Sequence, residues 1–192
     1  MLHLFRSVAL PATLAFSAML LAGNAHSAEE VPHDPCPALL QEDIGKLRSS
    51  DTIRLCDEFA GYPLLVVNTA SRCGFTGQFE SLEQVHQRFK ERGLKVIGVP
   101  SNDFRQEAST DEETARVCFV NYGVTFTMTE RQQVTGEGAH NLFRHLNRDS
   151  GQPPRWNFHK YVVDREGKVT ASFDSRIEPD SRAIIEAIEA VL

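Results

Sequence analysis

The sequence predicts an α/β domain built on a central mixed sheet flanked by helices. Three stretches carry that prediction: "LLVVNTA" at 64–70, "LKVIGVP" at 94–100, and "NFHKYVVDREGKVTASF" at 157–173. Apolar residues on consecutive positions mark strands covered on both faces. Alternating residues around a turn at Glu166-Gly167 mark a hairpin.

Each remaining element has its own signal. Phe79, Leu82, Val85 and Phe89 recur at three- and four-residue spacing, which predicts an amphipathic helix over 75–91 ending near Gly93. Strand, helix and strand then form a βαβ unit with a right-handed crossover. "SNDFRQEAST" is a polar loop, and Thr110 or Asp111 is placed to cap a helix over "DEETARVCFVNYG". "VTFTM" alternates as a strand does, while "GAHNLFRHLN" is a short helix that groups Leu142, Phe143 and Leu146. From Asp180 a last helix gathers Ile184, Ile185, Ile188 and Val191 on one face. Residues 29–50 hold three of the nine prolines and read as an irregular segment of an N-terminal arm, 29–57. One domain, 58–192, follows it. A βαβ unit, intervening helices, a hairpin and a closing helix together predict a thioredoxin-like fold.

The chain begins "MLHLFRSVALPATLAFSAMLLAGNAHSAEE". Arg6, the apolar "LPATLAFSAMLLAG" and the small residues of "GNAHSA" make residues 1–28 an expected signal peptide, cut within 25–28. Pro11 interrupts the apolar run, which is short for a membrane-spanning helix. Its loss removes one arginine and no acid, so the net charge moves from −6 to −7. An acidic domain repels phosphate backbones and anionic membranes, which argues against nucleic-acid binding and stable membrane insertion. The expected location is the bacterial periplasm. Cys36, Cys56, Cys73 and Cys118 all lie beyond the cut, where oxidation favours pairing, and they allow three connectivities. The seven histidines form no H-E-x-x-H motif, and no cofactor or metal is expected.

Cys73 stands at the junction of the first strand and its helix. Unpaired N–H groups and the helix dipole favour thiolate over thiol there, and the thiolate is the nucleophile. A free cysteine is also a common inert core residue. The tetrapeptide Cys73-Gly74-Phe75-Thr76 excludes the C-x-x-C of a disulfide oxidoreductase, so any partner thiol comes from another element.

"NTASRCGFTGQFESLEQVHQRF", "GLKVIGVPSNDFRQE", "CFVNYGVTF" and "WNFHKYVVDREG" closely resemble the glutathione peroxidase family, in family order, from about residue 60 to the C-terminus. Cysteine stands where some members carry selenocysteine. The resemblance implies a thioredoxin-like fold and reduction of hydrogen peroxide and organic or lipid hydroperoxides. It assigns the reactive residue to Cys73 and its hydrogen-bonding partners to Gln106, Trp156 and Asn157. Neutral amide and indole donors can hold a thiolate and a departing oxygen without titrating. The product is a Cys73 sulfenic acid. The family loop N-Q-F-G-x-Q-E is here Asn102-Asp103-Phe104-Arg105-Gln106-Glu107, one residue shorter.

The resemblance also implies a resolving role for Cys118, which sits where thioredoxin-dependent members carry that cysteine. A thioredoxin-like dithiol is then the expected reductant, ahead of glutathione. Cys36 and Cys56 fall outside the family core, and a structural bridge between them would tie down the arm. The short connection from Leu146 to Trp156 lacks the insertion of tetrameric members, which implies a monomer and an open Cys73 surface. Two other classes remain open: a peroxide sensor or redox relay passing oxidation to a partner protein, and a non-catalytic binding domain.

Overall fold

The computed structural model describes Met1 and residues 36–192; the expected signal peptide and the first residues of the arm lie outside the described residues. Seven strands and five α-helices follow: β1 (Ile44–Gly45), β2 (Thr52–Ile53), α1 (Leu55–Phe59), β3 (Leu64–Thr69), α2 (Gln78–Phe89), β4 (Lys95–Pro100), α3 (Asp111–Ala115), β5 (Thr127–Met128), α4 (Asn141–Ser150), β6 (Lys160–Val163), β7 (Val169–Phe173) and α5 (Arg182–Glu189). The main sheet runs β5-β4-β3-β6-β7. β3 lies at its centre, parallel to β4 and antiparallel to β6, and all six of its residues are buried. That is why "LLVVNT" reads as unbroken apolar sequence up to Asn68.

Side-chain alternation divides β3 between two cores. Leu65 and Val67 meet Phe79, Leu82, Val85 and Phe89 of α2 and Ile184 and Ile188 of α5. Leu64 and Val66 meet Leu142, Phe143 and Leu146 of α4. Helices therefore cover both faces of this mixed sheet, whose central strand β3 is buried throughout. Gly98 of β4 has a packing reason: a Cβ there would lie 2.4 Å from Met128 Sδ and 3.1 Å from Phe126 Cε2, so those side chains would have to move aside.

The helices differ from expectation in ways that bear on chemistry. α2 starts at Gln78 rather than 75, because residues 73–80 first wind through tight turns: Thr76, Gln78, Phe79 and Glu80 each donate N–H three residues back. The expected helix over 111–123 splits. Thr110 caps α3 by accepting from Glu113 N, and the chain then widens into a π-helical stretch, Arg116–Asn121. The arm is less irregular than its prolines suggest. Residues 36–57 hold a 3-10 turn (Ala38–Leu40), the β1–β2 hairpin and most of α1, and Leu39, Leu40, Ile44, Ile53 and Leu55 are buried in the α4-side core. Cys36 and Cys56 are joined by a disulfide. A loop of this size contributes roughly 3 kcal/mol by the chain-entropy account.

Candidate active site

Cys73 lies in the turn between β3 and α2, five positions ahead of the helix and not in its first turn. Thr76 shapes that turn. Its hydroxyl accepts from Cys73 N at 3.0 Å and lies 2.9 Å from Ala70 O and 2.8 Å from Cys73 O. The sulfur accepts from Phe75 N at 3.4 Å, so one amide of the turn, rather than the helix end itself, donates to it. Cys73 is only 9% exposed. Its neighbours Arg72 and Gly74 are exposed and Phe75 is half-buried.

Two loops close around this turn. Arg72 N donates to Gln106 O at 2.9 Å, which anchors the 101–107 loop beside Cys73. Gln106 Oε1 accepts from Asn157 Nδ2 at 3.0 Å, and Asn157 is wholly buried. The predicted Gln106 and Asn157 therefore meet directly. The shorter loop reaches this position by placing Arg105 in the left-handed region, φ 58°. Trp156 is half exposed and stacks on Phe104 with ring centroids 5.4 Å apart. Among the described residues Gln106 Nε2 and Trp156 Nε1 make no hydrogen bond, and Cys73 Sγ is bonded to none of Gln106, Trp156 and Asn157. Both neutral donors are thus without a partner among the described residues.

Several residues that hold this geometry escape the sequence reading. Asn68, fully buried, donates to Trp156 O at 3.1 Å, accepts from His159 N at 3.0 Å, and its carbonyl takes Phe158 N–H at 2.6 Å. It pins both ends of the Trp156–His159 segment. Phe158 turns the chain there at φ 63°, a strained conformation for a bulky side chain that these bonds sustain. The available signal was an asparagine closing an apolar strand, where a buried polar group needs partners. Glu107, 7% exposed, is a second such residue. Its Oε1 accepts from Ser71 Oγ, from Ala108 N at 2.6 Å and from Thr114 Oγ1 at 2.9 Å.

Cys118 is a free thiol, 1% exposed, in the same buried cluster as Cys73, itself free. Burial first, and then the Glu107 charge, push the Cys118 thiol up to about 12. It is protonated at neutral pH where it stands. Beside Trp156, a polar hollow of about 260 Å³ is lined by Arg155, His159 and Asp174 among others, and Cys73 is not part of it. Burial pushes His159 down to about 4 against the pull of Asp174, so its imidazole is neutral.

A single cysteine at the end of the central strand, a second buried thiol and amide-lined loops on this sheet define a thiol-based oxidoreductase of thioredoxin-like fold. Residues 46–147 match the family model described as Glutathione peroxidase. The chain is 39% identical over 137 residues to the glutathione peroxidase of Lactococcus lactis subsp. cremoris, covering 69% of this chain and 87% of that protein. It is 41% identical over 137 residues to the hydroperoxy fatty acid reductase gpx1 of Synechocystis sp., covering 66% and 81%. The crystal structure of Trgpx in apo form superposes with a TM-score of 0.61 at 30% identity, covering 81% of this chain and 97% of that one. The chain belongs to the glutathione peroxidase family and is a peroxide-reducing oxidoreductase.

Proposed function

We propose that Cys73 is the nucleophile of an exported thiol peroxidase, that Cys118 resolves it, and that a thioredoxin-like dithiol completes the cycle. The observation that carries this reading is the pair of unpartnered neutral donors, Gln106 Nε2 and Trp156 Nε1. They sit on loops fixed to Arg72 and Asn68 at either end of the segment that leads into Cys73. In the first step the Cys73 sulfur attacks one peroxide oxygen. An S–O bond forms, the O–O bond breaks, and the departing hydroxide or alkoxide takes the thiol proton and leaves as water or alcohol. The amide and indole donors stabilise the charge that develops on that oxygen.

The second step joins Cys118 to the sulfenic acid. An S–S bond forms, the S–O bond breaks, and the hydroxyl leaves as water with the Cys118 proton. Cys118 is buried as a thiol, so its segment must open first. A π-helical stretch is a weaker hydrogen-bonded structure than an α-helix and suits that task. The external dithiol then reduces the bridge and becomes a disulfide itself.

Hydrogen peroxide and lipid hydroperoxides are the proposed substrates. An apolar ledge of Phe104 and half-exposed Trp156 supports the second, as does likeness to a protein named for hydroperoxy fatty acids. Export to the periplasm is supported by the expected signal peptide and by the Cys36–Cys56 bridge, a bond of oxidising compartments. The chain is proposed to act as a monomer. The test is peroxide oxidation of Cys73→Ser and Cys118→Ser with dimedone trapping and disulfide mapping. Cys73→Ser should form no new bridge, and Cys118→Ser should hold a trappable sulfenic acid. A new bridge in Cys73→Ser, or unchanged dithiol-driven turnover in Cys118→Ser, would overturn the cycle.

A further inference from the structure

We propose that Glu107 is a positioning residue for the resolving half of the cycle: its carboxylate clasps the segment carrying Cys118 to the turn carrying Cys73, and this clasp sets the rate of bridge formation. The inference rests on the reading of Cys118 as the resolving thiol. One oxygen, Oε1, accepts from Ser71, two residues before Cys73, and from Thr114 at 2.9 Å, four residues before Cys118. It also takes Ala108 N–H at 2.6 Å, which fixes the carboxylate to its own loop. The Arg72–Glu113 ion pair at 3.0 Å also joins the two segments, but it is exposed, and among the described residues Glu107 is the buried side chain that bonds both.

The clasp is dry as well as central. Glu107 is 7% exposed, Thr114 and Cys118 are each 1% exposed, and Glu107 Oε2 is buried with no hydrogen-bond partner. Hydrogen bonds to a buried carboxylate are strong, so the segment's first turn is held where the π-helical stretch beyond it is not. The same charge opposes a thiolate on Cys118 while the clasp is shut. Opening moves Cys118 away from the carboxylate and toward solvent, and both changes favour the nucleophilic form. Bridge formation itself is balanced as written above: S–S forms, S–O breaks, water leaves, and Glu107 neither gains nor loses atoms.

Thr114→Val cuts the clasp on the Cys118 side alone and keeps the side chain's shape. In the full chain, given one equivalent of hydrogen peroxide, two rates are read separately: dimedone-trapped sulfenic acid at Cys73 and the mapped Cys73–Cys118 bridge. Bridge formation should quicken about fivefold, with sulfenic acid formation within about twofold of wild type. Glu107→Gln, which removes the charge, should quicken it by about tenfold or more. An unchanged or slower bridge in both variants would overturn the clasp, as would loss of the sulfenic acid step in Thr114→Val. Should Glu107→Gln not fold, Thr114→Val decides alone. A wild-type protein that makes no bridge to Cys118 overturns the assignment of Cys118 itself, an outcome distinct from unaltered rates in the variants.

Discussion

Asn68→Ala tests the link from sheet to site most directly. The side chain is fully buried and makes two hydrogen bonds, to Trp156 O and from His159 N. Alanine removes both. Loss of the part-buried bond to Trp156 costs about 1 kcal/mol, and a buried His159 N–H left unpaired costs about 2 more. The sum, about 3 kcal/mol, is a large share of the 5–15 kcal/mol that holds a typical domain together. For a chain of this size it lowers the melting temperature by about 6–12 °C. The functional effect goes further, because the bonds hold Trp156 and Asn157 rather than the core at large. Well below the melting point, sulfenic acid formation at Cys73 should fall about tenfold, since a donor displaced from the oxygen loses about 1.4 kcal/mol of transition-state stabilisation. Thermal unfolding and rapid-quench dimedone trapping read the two effects. A variant that melts within 2 °C of wild type (roughly the span of one weak surface contact), or one that keeps the full rate, would refute the reasoning.

Two further outcomes follow from other parts of the fold. Lys160 is fully buried, donating to Ser175 O at 3.1 Å and Ile177 O at 2.6 Å, and burial pushes its ammonium down to about 8 although Glu178 and Asp174 pull it upward. Between about pH 8 and 10.5 the unfolded chain keeps a proton that the folded chain sheds, so stability rises with pH across that window and the cost is in full force below it. Urea unfolding of wild type against Lys160→Met should show the difference moving in favour of wild type by up to about 3 kcal/mol, and a flat difference would remove the buried charge from the account. Replacing Cys36 and Cys56 together by serine should cost about 3 kcal/mol in the same assay. Peroxide turnover should stay within about twofold, because Cys36 packs on the α4 side of the sheet and Cys73 on the other; a larger loss would make that bridge part of the redox path.

The sequence by itself determined the sheet and its covering helices, and it singled out Cys73 as the candidate nucleophile. Consecutive apolar residues in β3, the three- and four-residue spacing of Phe79, Leu82, Val85 and Phe89, and the hairpin around Glu166-Gly167 are local patterns, and burial acts on them locally. Gln106, Trp156 and Asn157 became legible only through a resemblance, since an isolated amide or indole carries no pattern of its own. Tertiary structure alone decided how those residues are held. Asn68 and His159 are separated by ninety-one positions, Ser71 and Glu107 by thirty-six, and no periodicity reports a bond across such distances. The same holds for the break in the Cys118 helix. Thr110 as cap could be read from its neighbours, whereas the widening at Arg116–Asn121 answers to what packs around it. A buried polar group takes whichever partner the fold brings within reach, and chain order does not record that choice.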